Sequence, residues 1–114
     1  MVYTSYWGNL KNLVRMFGKD NVISVSRWTK FWNGKRCSQL FPTETLLKDY
    51  KNGKVNEDEY YDIYMSMLEK MNVDNCYKVF NGKVLVCYEK EGFCHRHIIK
   101  DWLNKYGYEC EEVE

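Results

Sequence analysis

The chain has 114 residues, which is room for one hydrophobic core, so it is predicted to be a single domain over residues 1–114. Apolar residues make up 45% and charged residues 29%, a balance that excludes an intrinsically disordered chain. The absence of alanine, beside many lysines, asparagines and tyrosines, is typical of a GC-poor genome such as that of a low-GC bacterium or its virus.

The net charge is only +1, but it is unevenly distributed. Residues 1–54 carry ten Lys/Arg and three Asp/Glu, a net charge of +7, whereas residues 55–114 carry seven and thirteen, a net charge of −6. A basic half can meet an anion such as a phosphate or a nucleic acid. Attraction between the two halves within the fold explains the asymmetry equally well.

No segment approaches 18 consecutive apolar residues, so we expect no membrane partner. The first residues lack the basic and apolar regions of a signal peptide, and the number of cysteines is odd. We therefore expect a reduced, cytoplasmic protein whose cysteines are all thiols. The five cysteines are Cys37, Cys76, Cys87, Cys94 and Cys110.

The predicted elements begin with a short strand over residues 2–6, rich in Tyr, Thr and Val. Apolar residues at helical spacing then predict a helix over 9–18 that ends at Gly18. A β-branched run predicts a strand over 21–26.

Residues 27–42 have no clear period and are predicted to be a long loop, a feature that is usually functional or mobile. A short helix is predicted from Thr43 to about Tyr50. Asn56 begins a longer helix, followed by a helical turn over 74–80.

The continuous apolar run at 83–88 is typical of a buried parallel strand. A helix over 95–106 and a last strand over 108–113 follow. This alternation predicts an α/β protein: a small, three-layer, Rossmann-like fold with a parallel or mixed sheet flanked by helices.

The most informative segment joins the strand at 83–88 to the next helix. The strand delivers Cys87 and Glu89 to the sheet edge where ligands gather in α/β proteins, and the helix start delivers Cys94, His95 and Arg96. The positive helix end would lower the pKa of the Cys94 thiol and favour a thiolate. A first-turn arginine opposes the helix dipole, so Arg96 is the strongest candidate for a functional role.

The other candidates in this segment can have a purely structural role instead of a functional one. Cys87 can be a small core residue as well as a nucleophile, and Cys94 an ordinary helix-start residue. Glu89 can be a rim residue as well as a general base. No cofactor is expected, and no metal, because the spacing of these cysteines from His95 and His97 matches no zinc motif.

Residues 85–97 resemble the signature of the domain-of-unknown-function family numbered 488. Members of that family typically end a strand with Cys-x-Glu-Lys, here residues 87–90, and begin a helix with Cys-His-Arg, here 94–96. Arg27 matches an arginine at a second strand end of the family. This chain has Ser5-Tyr6-Trp7 where the family often has Gly-His-Ser/Thr, and the resemblance implies an α/β three-layer fold without an established reaction.

The resemblance implies that Arg27 and Arg96 converge on one pocket, and two arginines favour a phosphate or carboxylate. Trp28 and Trp32 of the long loop would stack on a base or ribose-like ring, or would instead pack that loop onto the core. The pocket would also contain the candidate binding residues Tyr3, Ser5 and Tyr6 and the candidate catalytic residues Cys87, Glu89, Cys94 and His95.

Three functions follow from these residues. The first is a binding domain for a small phosphate-bearing ligand, such as a nucleotide or a nucleotide-derived signal. The second is an enzyme acting on a nucleotide or a nucleic-acid base, with Cys94 or Cys87 as nucleophile or Glu89 as base. The third is a nucleic-acid-binding protein that uses the basic, aromatic loop.

Overall fold

The computed structural model describes residues 1–88 and 93–114. Its one sheet has the strand order β2-β3-β1-β4, and every neighbouring pair is parallel. The predicted α/β fold is therefore confirmed, with a parallel rather than a mixed sheet. The strands are β1 (Val2–Tyr6), β2 (Val22–Ser24), β3 (Val84–Cys87) and β4 (Cys110–Glu112).

In the described ranges, five α-helices connect and cover the strands: α1 (Leu10–Phe17), α2 (Glu44–Lys51), α3 (Glu57–Glu69), α4 (Val73–Phe80) and α5 (His95–Lys105). Their ends carry the expected signals. Gly18 follows α1 with φ of 82°, a conformation that strains other residues. Asn56 and Glu59 form a reciprocal capping box at the start of α3.

The sheet separates two apolar layers. Leu13 of α1 packs with Val84 and Val86 on one face, whereas α2, α3, α4 and α5 pack on the other face against Leu85 and Cys87. This alternation along β3 follows from the two-residue repeat of a strand, and it produces the three predicted layers.

The segment over 27–42 is more ordered than the predicted loop. Ser24 bridges to Arg36 in parallel, so residues 35–37 extend the sheet beyond β2. A Cβ at Gly34 would clash with the ring of Trp32, so only glycine allows the chain to pass this buried indole.

Among the described residues, no helix is long and apolar enough to cross a bilayer.

The two faces of α3 give a direct test of the core. Leu68 is fully buried, whereas Ile63 on the same helix is 49% exposed. We expect Leu68→Ala to lower the free energy of unfolding by about 2–5 kcal/mol, because it leaves a cavity in the core. The matched control Ile63→Ala should cost less than about 1 kcal/mol. Urea denaturation measures both, and equal losses would contradict the packing of α3.

Candidate functional site

The candidate site lies at the sheet edge where β2 and β3 end and α5 begins. Because the strands are parallel, their carboxyl ends share this edge. A cavity of about 150 Å³ opens there between the residues that follow β2, the end of β3 and the first residues of α5. Ser26, Arg27 and Trp28 lie on one side of it, and Cys94 and His95 on another.

Aromatic rings form the wall of this cavity. Phe93 and Tyr60 meet nearly edge to face with ring centroids 4.9 Å apart, and Tyr50 lies 5.3–5.4 Å from both rings. Burial raises the pKa of Tyr60 well above its ordinary value, so the phenol stays neutral. The three described rings therefore give the cavity a largely apolar wall, with the spacing that aromatic pairs prefer.

Arg27 supplies a cation to this apolar cavity. Its Nε donates to the carbonyl of Pro42 at 2.9 Å, and its guanidinium lies 5.7 Å from the ring of Phe41. Within residues 1–88 and 93–114, no hydrogen-bond acceptor for its two Nη groups and no carboxylate within ion-pair distance is found. The neighbouring Ser26 hydroxyl is buried and has no partner among the described residues. Both groups can serve a ligand in the cavity.

His95 is held as a neutral imidazole. Its Nε2 lies 2.6 Å from the carbonyl oxygen of Val25, which fixes Nε2–H as the donor, and Tyr64 packs edge to face on the ring. Burial lowers the pKa of His95 to about 4, assisted by the charge of Arg96 and opposed by the Val25 carbonyl. At neutral pH this side chain orients the start of α5 and carries no charge.

Arg96 is fully buried and paired with Glu112 of β4. Its Nε lies 3.1 Å from both carboxylate oxygens, and its Nη2 donates to Oε2 at 2.8 Å. Burial opposes ionisation of Glu112, but hydrogen bonds from Arg96 and Thr4 outweigh that effect and lower the pKa of the carboxyl. Arg96 also lies over Tyr6, 5.9 Å from the ring centroid. The described lining of the cavity includes Arg27 but not Arg96, so the two arginines do not share it.

Cys87 and Cys94 form a disulfide. The prediction that all five cysteines are thiols is therefore wrong for these two, because the last residue of β3 and the residue before α5 lie at the same sheet edge. Neither sulfur is the predicted thiolate nucleophile in this state. Cys37, Cys76 and Cys110 are free thiols.

The two sulfurs also form a potential metal-ligand set with His95. In the part of the chain that the structure describes, the ligand atoms of Cys87, Cys94 and His95 lie within 4.8 Å of one another. The disulfide joins the two sulfur donors, so a metal could use both as thiolates only after reduction.

Besides Arg96, four predicted binding residues lie away from the cavity: Tyr3, Ser5, Tyr6 and Trp32. Tyr3 packs on Phe17, with ring centroids 5.1 Å apart. The Ser5 hydroxyl donates to the backbone carbonyl of Val113 at 2.6 Å. Trp32 is buried, and its Nε1 donates to the backbone carbonyl of Lys35. Tyr3 and Ser5 alternate with Thr4 along β1, so they lie on the α1 face of the sheet, opposite the Arg96 pair.

The remaining predicted residues divide between cavity and surface. Trp28 lines the cavity and is 52% exposed. Its loop neighbour Phe31, which was not among the predicted site residues, packs against Trp7. Glu89 lies outside the described residues. A larger groove of about 840 Å³ runs between β2 and helices α3 and α4, and its described lining contains none of the predicted site residues.

Sequence reasoning missed the aromatic wall and Glu112. Tyr60 stands four residues before Tyr64, a spacing that could have extended the buried stripe of α3. Glu112 stands two residues after Cys110, so strand alternation could have placed both on one face of β4.

Comparison with known proteins finds no family model, no curated protein and no solved structure that matches this chain. The resemblance of residues 85–97 to the domain-of-unknown-function family numbered 488 therefore stays a prediction. The site is interpreted from its own geometry.

Protonation of His95 should weaken the fold. Its pKa is lower in the folded chain, about 4, than the ordinary 6.5, so the unfolded chain binds more protons between these values. The contribution of His95 to the free energy of unfolding is then fully present above pH 6.5. It is lost as the pH falls toward 4, and the loss is up to about 3 kcal/mol. Urea denaturation at a series of pH values measures this loss.

The variant His95→Gln should lose most of that pH dependence. His97→Gln is the matched control, since His97 is on the same helix and less buried. A fall in stability that is the same in His95→Gln and the unmodified chain would contradict this assignment.

The Arg96–Glu112 pair should matter more than a surface ion pair. Glu112→Ala removes the carboxylate that holds a buried guanidinium, and we expect a loss of about 3 kcal/mol in the free energy of unfolding. Glu111→Ala, one residue earlier on β4, is the control and should change it by less than about 0.5 kcal/mol. Equal losses in the free energy of unfolding for the two variants, measured by chemical denaturation, would show that the buried pair contributes no more than an exposed carboxylate.

Proposed function

We propose that the chain binds a small ligand composed of one planar ring and an anionic group, with a nucleotide as the expected class. The ring would enter the aromatic cavity at the carboxyl ends of β2 and β3. The phosphate would lie against the guanidinium of Arg27. We propose that the ligand is bound and not converted. An enzyme that acts on a nucleotide or a nucleic-acid base is the alternative.

One observation carries the proposal: in the described lining of a largely apolar cavity, the Nη groups of a cation and a hydroxyl group lack hydrogen-bond partners. The Nη groups of Arg27 and the hydroxyl of Ser26 have no hydrogen-bond partner within the described ranges. Buried polar groups almost always have a hydrogen-bond partner. The unpartnered Ser26 hydroxyl therefore indicates that a water or a ligand binds at this position. Arginine binds phosphate and carboxylate through two parallel hydrogen bonds.

The size of the cavity limits the ligand. A volume of about 150 Å³ is below that of a drug-sized pocket. An apolar cavity of about 150 Å³ is known to accept a single six-membered ring such as benzene. A pyrimidine is therefore expected to fit better than a purine, with the sugar and phosphate outside at the rim. The start of α5 lies at the same rim, where the helix dipole favours negative charge.

Thermal denaturation with CMP, UMP, AMP and GMP tests this proposal, with the matching nucleosides as the comparison. Binding raises the midpoint because it stabilises the folded chain by RT ln(1 + [L]/Kd). We expect at least one monophosphate to bind, and its nucleoside to bind about tenfold to a hundredfold more weakly, because a charge-assisted hydrogen bond is lost. Absence of any shift at about 1 mM nucleotide would contradict the proposal.

Variants of the cavity locate the binding. Arg27→Ala should weaken monophosphate binding by about tenfold or more, and Tyr60→Leu should weaken binding of nucleotide and nucleoside alike. Arg15→Ala on the exposed face of α1 is the matched control and should bind normally. Normal binding by Arg27→Ala would show that the phosphate site lies elsewhere. Recovery of the nucleotide unchanged after incubation distinguishes binding from catalysis.

Single-stranded nucleic acid is the second candidate ligand. Trp28 and Phe31 are 52% and 58% exposed, and Lys30 between them is also exposed. Exposed rings beside a basic residue are typical of stacking platforms for successive bases. Binding of a single-stranded oligonucleotide that survives about 0.2 M salt and is lost in Phe31→Ala would favour this function.

A further inference from the structure

We propose that Cys87 and Cys94 form a redox-active pair that exchanges electrons with an external dithiol. In this exchange Cys94 is the sulfur that is attacked and Cys87 is the leaving group. The inference goes beyond ligand binding and does not rest on it, because it is carried by the surroundings of the two sulfurs and not by Arg27.

The two sulfurs differ in access. Cys94 lines the cavity at the sheet edge and keeps 8% of its surface exposed, whereas Cys87 is fully buried in β3. A thiolate arriving through the cavity can therefore reach Cys94 and is screened from Cys87. Thiol–disulfide exchange depends on which sulfur is accessible.

Arg96 gives the buried sulfur a cationic neighbour. Its Nη1 lies 3.5 Å from Cys87 Sγ, and Glu112 holds the same guanidinium through Nε and Nη2. Negative charge that develops on Cys87 as the bond breaks is stabilised by this fixed cation, and a better leaving group leaves faster. His95 is kept neutral by its burial, so it adds no competing charge beside the sulfurs.

The steps balance as an ordinary two-electron exchange. A thiolate of the external dithiol attacks Cys94 Sγ, the bond between the two protein sulfurs breaks, and its electron pair goes to Cys87 as a thiolate. The second thiol of the partner loses its proton and attacks the mixed disulfide, which releases Cys94. The protein then holds two reduced sulfurs, the partner holds one disulfide, and the partner's two protons go to the protein sulfurs or to water.

The other cysteines provide internal controls. Burial raises the pKa of Cys76 to about 12 and of Cys110 to about 11, and it also raises the pKa of Cys37. These thiols stay protonated at neutral pH and are poor nucleophiles. Exchange chemistry is therefore expected at Cys87 and Cys94 and not at the three free cysteines.

Counting thiols tests the redox state directly. Alkylation of protein denatured without reductant should label three cysteines, and alkylation after dithiothreitol should label all five. Peptide mass spectrometry should place the two additional labels on Cys87 and Cys94. Five labelled cysteines in air-exposed protein without reductant would overturn the proposal. So would one bound metal ion per chain that is released when Cys87 and Cys94 are alkylated.

A matched pair of variants tests which sulfur is attacked. Cys87→Ser leaves Cys94 facing the cavity, and Cys94→Ser leaves Cys87 buried. We expect oxidised glutathione to form a mixed disulfide with folded Cys87→Ser at least about tenfold faster than with folded Cys94→Ser, because of access and the helix N-terminus. Circular dichroism confirms that both variants are folded. Equal rates, or a faster Cys94→Ser, would overturn the assignment of Cys94.

Arg96 contacts the reacting sulfur of Cys87 directly, and its test needs a readout other than stability. The double variant Arg96→Met, Glu112→Gln removes both charges together and so avoids a buried lone ion. The pKa of Cys87 is measured by thiolate absorbance in Cys94→Ser, with and without the double substitution. It should be higher when the double substitution is present. Reduction of the disulfide by dithiothreitol should slow by about tenfold. An unchanged pKa and rate in a folded double variant would remove Arg96 from the proposal.

Discussion

The positive charge of Arg96 is buried, and the positions of β1, β4 and α5 depend on how it is compensated. A guanidinium removed from water costs several kcal/mol unless a carboxylate meets it in good geometry. Glu112 supplies that carboxylate from β4, and Thr4 of β1 donates to it at 2.6 Å. β4 has only three residues, so its place beside β1 depends on this pair as well as on its backbone hydrogen bonds.

This pair explains why a cation can lie beside the sulfur of Cys87. Glu112 offsets much of the cost of burying the guanidinium beside apolar β3. With Glu112 present, the guanidinium keeps one nitrogen directed at the sulfur. The chemistry available at the disulfide is therefore tied to the packing of the last strand, which β1 separates from β3 in the sheet.

Much of the fold could be predicted from local patterns, whereas the site depended on contacts that no local pattern contains. The apolar run at 83–88 and the capping signals of Asn56 predicted β3 and α3, because strands and helix ends are encoded by neighbouring residues. Arg96 was interpreted as a ligand-binding residue because its position in the first turn is unfavourable. Its partner stands 16 residues later, and only the strand order brings Glu112 beneath it.

The dense segment before α5 suggested one site because its residues are consecutive, but consecutive residues at a helix start point in different directions. Cys94 bonds to β3, His95 reaches the carbonyl that follows β2, and Arg96 reaches β4 and the ring of Tyr6 on β1. Side chains diverge by about 100° per residue along a helix, so one turn contacts the ends of all four strands. Neighbouring residues of the same turn therefore line the cavity and form the buried ion pair. A change in bonding at Cys94, which lines the cavity and stands two residues before Arg96, therefore acts on the turn that both of them share.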